Sequence, residues 1–163
     1  MAEIWDAYDK EFNKIDNVTL VRGENIPDGM YHLVGEIIVK HKDGTYLLMQ
    51  RDYKKHLGGM WEVTAGGSAL KGETSLDCVI RELREETGII ALDIREIGRI
   101  VHDGYHSIFV EYLCITDCDK NAIMLQEGET VDYKWINKDD LLKMEADTLA
   151  SPRTMELIIE LDI

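Results

Sequence analysis

The chain has 163 residues, 45% of them hydrophobic and 31% charged, which is enough apolar material for one core, so residues 1–163 are expected to form a single domain. A formal net charge of −14 and a pI near 4.7 argue against a nucleic-acid polymer or an anionic membrane surface as partner, because both demand positive charge. No apolar run can cross a bilayer, and the acidic start MAEIWDAYDKEF lacks the pattern of a signal peptide. The odd count of cysteines (Cys78, Cys114, Cys118) without a CxxC pair predicts free thiols in a cytoplasmic, reducing setting.

In chain order, the mixed aromatic and charged start leads to NKIDN, Asn13 to Asn17, which reads as a turn between two short strands, and then to a loop from Arg22 to Gly29. MYHLVGEIIVK, Met30 to Lys40, is β-branched and aromatic and predicts a strand. Asp43-Gly44 signals a hairpin into the partner strand TYLLMQR. DYKKHLGG, Asp52 to Gly59, reads as a basic loop, and MWEVTA as a short strand leading into Gly66-Gly67. A helix follows over Thr74 to Thr87, with Leu76, Val79, Ile80 and Leu83 as its core-facing stripe and Gly88 as its stop. IREIGRIV and SIFVEYLCI are strands flanking the loop HDGYH, and VDYKWI is another strand. KDDLLKMEAD, capped by Asn137, and PRTMELIIEL close the chain as helices. Strands interrupted by one strong helix predict an α/β fold with a mixed sheet between helices.

The helix at 74–87 is chemically unusual. Glu82 and Glu86 lie at i, i+4 beside the apolar stripe, Glu85 is one step further round, and Arg81 and Arg84 are expected to project from the opposite side. Like charges at i, i+4 repel, and partial burial raises that cost. A hard divalent cation such as Mg²⁺ or Mn²⁺ removes it, because such ions take oxygen ligands and share their shell with phosphates. A solvated acidic face laced with arginine is the ordinary alternative. Gly66, Gly67 and Gly72 tilt the balance, since a glycine turn at the helix start lets backbone approach a ligand.

The whole stretch resembles the Nudix box, G-x5-E-x7-R-E-U-x-E-E-x-G-U. Gly67, Glu73, Arg81-Glu82-Leu83-Arg84-Glu85-Glu86 and Gly88-Ile89 match every defined position over 23 residues. The resemblance implies an α/β/α sandwich with a loop–helix–loop metal site, and hydrolysis of a diphosphate in a nucleoside diphosphate linked to another moiety X. It implies Mg²⁺ or Mn²⁺ as cofactor, with a small-molecule diphosphate as substrate. Homodimerisation is the assembly the family suggests. The organisation matches over roughly Tyr31 to Leu142, with residues 1–28 as an N-terminal extension.

Carried over residue by residue, the resemblance makes Glu82 and Glu86 the principal metal ligands and Glu85 a further ligand or water-ordering group. Glu82 and Glu85 also stand as catalytic candidates. Arg81 would orient a carboxylate, with Glu73 as its partner, and the Gly66 carbonyl would be an extra ligand. A further acid often comes from outside the box. Glu127 and Glu129 precede the strand of Trp135, and Glu129 has the favoured spacing as metal ligand, with Glu127 left to substrate binding. Arg51, Lys54 and Lys55 can hold outer phosphate oxygens, and Tyr105, between His102 and His106, can stack on X.

Ala65 before the two glycines, together with EIWDAYDK and YHLVGEIIV, also resembles the branch containing isopentenyl-diphosphate isomerase. Those isomerases carry a catalytic cysteine and a metal-binding histidine where this chain has Gly66 and Ser68, and their box is degraded whereas this one is intact. His32 does resemble an isomerase metal histidine. Isomerase chemistry therefore stands as an alternative, as does a binding module without turnover, which would be expected to have lost box carboxylates.

Overall fold

A computed structural model describes residues 1–163. Two antiparallel strands, β1 (Ile4–Tyr8) and β2 (Lys14–Val21), form a small separate sheet. The main sheet contains β3 (His32–His41), β4 (Tyr46–Arg51), β5 (Trp61–Glu62), β6 (Thr64–Ser68), β7 (Asp93–His102), β8 (Ser107–Thr116) and β9 (Thr130–Ile136). β3 is its centre: it pairs in parallel with β8 and antiparallel with β6, while β7 pairs antiparallel with β8 and β9 with β4. The helices are α1 (Ser75–Thr87), α2 (Lys138–Leu142) and α3 (Pro152–Leu161).

Both faces of this mixed sheet are covered, which explains the unbroken apolar runs in β3 and β4. Ile37, Val39, Leu47 and Met49 point to one side and pack with Val79 and Leu83 of α1. Ile38, Tyr46 and Leu48 point to the other and pack with Leu141 of α2 and Ile158 of α3. The result is the expected α/β/α sandwich.

Several local expectations need correction. The turn joining the first two strands is at 9–13, where Asp9 Oδ1 accepts the amides of Glu11 and Asn13 and Phe12 adopts a positive φ of 67°. NKIDN lies mostly inside β2, where the register shifts and Asn17 takes φ 61°; its turn-forming residues serve a bulge. Gly66 and Gly67 are not in a turn either. They belong to β6, opposite Glu36 and Gly35 of β3, and the positive-φ turn glycine is Gly72. The helix expected over KDDLLKMEAD ends at Leu142, with a separate 3-10 turn at Ala146–Thr148.

The core-facing stripe of α1 is also rotated from the expected one. Leu76 and Ile80 are exposed, whereas Cys78, Val79, Leu83 and Glu86 are buried. Gly35 explains the rotation. A Cβ there would meet Val79 Cγ1 at 2.6 Å and the Ser75 carbonyl at 3.2 Å, so the helix docks closely on β3 through its 75–79 side. This docking turns Glu82 and Glu86 toward the sheet. Thr74 caps the helix in a capping box with Asp77, and Gly88, at φ 79°, ends it.

Candidate active site

α1 and the two glycines of β6 form the floor of a cleft of about 320 Å³ that no hydrophobic residue lines. Glu82, Glu85, Glu86 and Arg81 enter it from α1, Gly66, Gly67 and Ser68 from β6, Lys55 from the 52–60 loop, and Gln126 and Glu129 from the segment before β9. Gly67 leaves room for the Glu82 carboxylate in this position: a Cβ would lie 2.7 Å from Glu82 Oε1. A second cavity of about 150 Å³ adjoins the first, sharing Lys55, Gly66, Gly67 and Glu86 and adding Glu36, Arg51 and Glu62.

Arg81 does not point away from the site. Its Nε donates to Glu73 Oε1 at 2.6 Å and its Nη2 to Glu73 Oε2 at 3.0 Å, while Nη1 donates to Glu82 Oε1 at 2.7 Å and to Glu85 Oε2 at 3.3 Å. The guanidinium holds Glu73 below the usual carboxylate range. The Leu70 amide also donates to Glu73 Oε2 at 2.9 Å, so the turn entering α1 fixes the glutamate that fixes the arginine.

Glu86 is 7% exposed and Glu82 has a side chain 15% exposed. Burial raises both pKa values, and for Glu86 the neighbouring Glu82 charge adds to the rise. Two desolvated carboxylates on one face, in an oxygen-rich cleft, are the donor set a hard divalent cation takes. No three acidic, histidine or cysteine side chains already converge into a finished shell. Glu82 is bonded by Arg81, and Glu129 pairs with Lys55.

The other expected residues divide. Arg51 lines the adjoining cavity but is engaged by Glu62 and by the His56 carbonyl, the latter at 2.8 Å. Glu127 is exposed and absent from the cleft, whereas Glu129 is present. Tyr105 is 71% exposed, stacks on His102 and does not line the cleft; its loop forms a 3-10 turn. Lys54 is exposed and lines neither cavity.

His32 stands behind Ser68. The Ser107 hydroxyl donates to the Tyr105 carbonyl at 3.1 Å, so its oxygen accepts His32 Nε2–H at 2.7 Å. His32 Nδ1 is then the acceptor for the Ser68 hydroxyl at 3.3 Å. Burial, chiefly, and the charge of Arg22 lower the imidazole pKa to about 4. Its ring is stacked on Trp5 of β1 at 4.2 Å.

Sequence reasoning missed Glu3, Arg22, Gln126 and Glu36. The first two enter the cleft from the N-terminal strands, and Glu36 faces the adjoining cavity from β3, paired across the sheet with buried Glu111 and bonded by Arg153 of α3 at 3.3 Å. Only the alternation of β3, which places Glu36 between Gly35 and Ile37, hints at a polar residue aimed at the glycines of β6.

The NUDIX domain model matches residues 30–157. The chain is 34% identical over 143 residues to an uncharacterized Nudix hydrolase of Listeria monocytogenes, covering 85% of this chain and 82% of that one. It is 30% identical over 131 residues to an isopentenyl-diphosphate Delta-isomerase of Photobacterium profundum, covering 74% and 73%. A crystal structure from Deinococcus radiodurans superposes with a TM-score of 0.74 at 17% identity, covering 95% of this chain and 97% of that one. The chain belongs to the Nudix hydrolase family. It is an enzyme of the pyrophosphohydrolase class that this fold and box define.

Proposed function

We propose that the protein is a Mg²⁺- or Mn²⁺-dependent hydrolase that cleaves the diphosphate bond of a nucleoside diphosphate linked to another moiety, by attack of water at phosphorus. The observation that carries this reading is the pair Glu82 and Glu86, both turned into the polar cleft and both largely buried. Glu82 and Glu86 are the principal ligands in this reading, with the Gly66 carbonyl and Glu129 completing the protein's share. When bound, the cation neutralises the diphosphate and acidifies the attacking water. Glu85, 46% exposed at the mouth, orders that water, and a box carboxylate accepts its proton. Arg81, locked by Glu73, fixes the rotamer of Glu82. Lys55 lines both cavities and Arg51 the smaller one, and outer phosphate oxygens would lie against them.

Double-bond isomerisation finds no support in the side chains present. No cysteine lines the cleft, and Cys78 is packed in the core with burial pushing its thiol up to about 12. A binding module is disfavoured because every box carboxylate is retained. The three free cysteines support a cytoplasmic setting, and no helix is long and apolar enough to cross a membrane.

The test is a panel of nucleotides, nucleotide sugars, dinucleotides and isoprenoid diphosphates assayed with Mg²⁺ or Mn²⁺. The expected result is metal-dependent release of phosphate-bearing products that EDTA stops. No turnover on any compound would favour a binding module, and double-bond migration in isopentenyl diphosphate would favour the isomerase.

A further inference from the structure

The N-terminal strands lie outside the matched family domain, yet they supply two residues to the catalytic cleft, Glu3 and Arg22. Their placement is firmly determined. Trp5, 6% exposed on β1, stacks on His32 of β3. The Lys71 amide donates to the Ile4 carbonyl at 2.9 Å, and the Gly72 amide donates to Asp6 Oδ2 at 2.7 Å. Tyr8 and Tyr31 exchange backbone bonds at 2.9 Å. The small sheet is thus fastened both to β3 and to the turn that carries Glu73.

Arg22 follows β2 directly, with its amide bonded to the Glu3 carbonyl at 2.9 Å. Its guanidinium has one ionic contact, Nη1 to Glu3 Oε2 at 3.2 Å, and that oxygen is shared with the Trp5 indole at 3.3 Å. The other two cations of the cleft offer no free guanidinium fork. Arg81 uses three nitrogens on Glu73, Glu82, Glu85 and the Ser68 carbonyl, and Lys55 is held by Glu129. Arg22 is therefore the cleft cation with most of its planar donor fork still available, at 65% exposure. A guanidinium fork matches two oxygens of one phosphate, which a lysine cannot do.

We infer that Arg22 is a substrate-binding residue, gripping through its guanidinium fork the non-bridging oxygens of the substrate's diphosphate that face away from the Glu82–Glu86 pair. This deepens the hydrolase reading and rests on it. It makes the N-terminal sheet a working wall of the catalytic cleft, with Glu3 as the strut that aims the arginine.

The probe is methylenediphosphonate, a diphosphate analogue whose P–C–P bridge water cannot cleave, titrated calorimetrically with Mg²⁺ into the full chain. Arg22→Ala is expected to weaken binding roughly 10- to 100-fold, the range for a lost charged hydrogen-bond pair. Arg22→Lys should recover part of the loss, and the Mn²⁺ affinity and melting temperature of Arg22→Ala should match the wild type. The inference is overturned if wild type and Arg22→Ala bind the probe equally, if wild type does not bind it, or if Mn²⁺ affinity falls in parallel. Failure of the hydrolase reading would show separately, as absent turnover across the substrate panel by the wild type.

Discussion

Arg81 grips Glu73 through two bonds, Nε to Oε1 at 2.6 Å and Nη2 to Oε2 at 3.0 Å, across the turn that opens α1. The same guanidinium restrains Glu82, so the order of the site runs from the turn to the arginine to the ligand candidate. Glu73→Gln replaces one acceptor oxygen by a donor amide that faces another donor. Turnover or metal affinity should fall roughly 10- to 100-fold, as for other groups that orient metal ligands. Steady-state kinetics and Mn²⁺ titration check this, and an unchanged circular dichroism spectrum shows that the fold survives.

The two glycines of β6 should respond differently to alanine. At Gly67 the added Cβ meets the flexible end of Glu82, 2.7 Å from Oε1, so Gly67→Ala should displace that carboxylate and lower metal affinity while leaving stability nearly intact. At Gly66 it would lie 2.2 Å from the Gly35 carbonyl, which belongs to the central strand. Gly66→Ala should destabilise by about 2–3 kcal/mol, the scale of an overpacked core. Thermal melts and Mn²⁺ titrations of both variants separate the two effects.

His32 predicts a pH dependence. Burial, with Arg22 as the facing charge, depresses its pKa from 6.5 to about 4. Between those values the unfolded chain binds more protons than the folded one, so stability rises with pH across the window and is lost as pH falls from 6.5 toward 4. The loss attributable to this residue is on the order of 3 kcal/mol. His32→Gln keeps a donor and an acceptor but does not titrate. Denaturant melts between pH 4 and 7 should therefore show a shallower acid slope for the variant than for the wild type.

Much of this site is legible in the chain because its parts are local. The box places Glu73, Arg81, Glu82, Glu85 and Glu86 within fourteen consecutive residues, and a helix period of ~3.6 fixes which of them are neighbours. The face that α1 buries is not local. It is set by Gly35, forty residues upstream of Ser75, whose missing side chain lets Val79 approach and turns Ile80 outward. Arg22 is likewise invisible in one dimension: only the stacking of Trp5 on His32 and the seat of Ile4 and Asp6 on the 71–72 turn bring it to the cleft. Glu127 and Glu129 look alike in sequence, and it is the backbone bond from the Asp52 amide to the Glu129 carbonyl, at 2.9 Å, that secures Glu129 beside the Lys55 loop. The Tyr105 ring, a sequence candidate for stacking on X, is presented to solvent by a loop tied through the Tyr31–Asp103 hydrogen bond of 2.5 Å.

In the proposed reaction, buried Glu86, beside Glu82, holds the cation on which hydrolysis depends. The direct measurement is Mg²⁺-dependent turnover of one diphosphate substrate by wild type and Glu86→Gln side by side, with melting temperatures taken on the same samples. The account predicts a folded variant whose turnover is at least ~100-fold lower, because a neutral amide cannot replace a carboxylate ligand. A folded Glu86→Gln protein that turns over the substrate at the wild-type rate would contradict it.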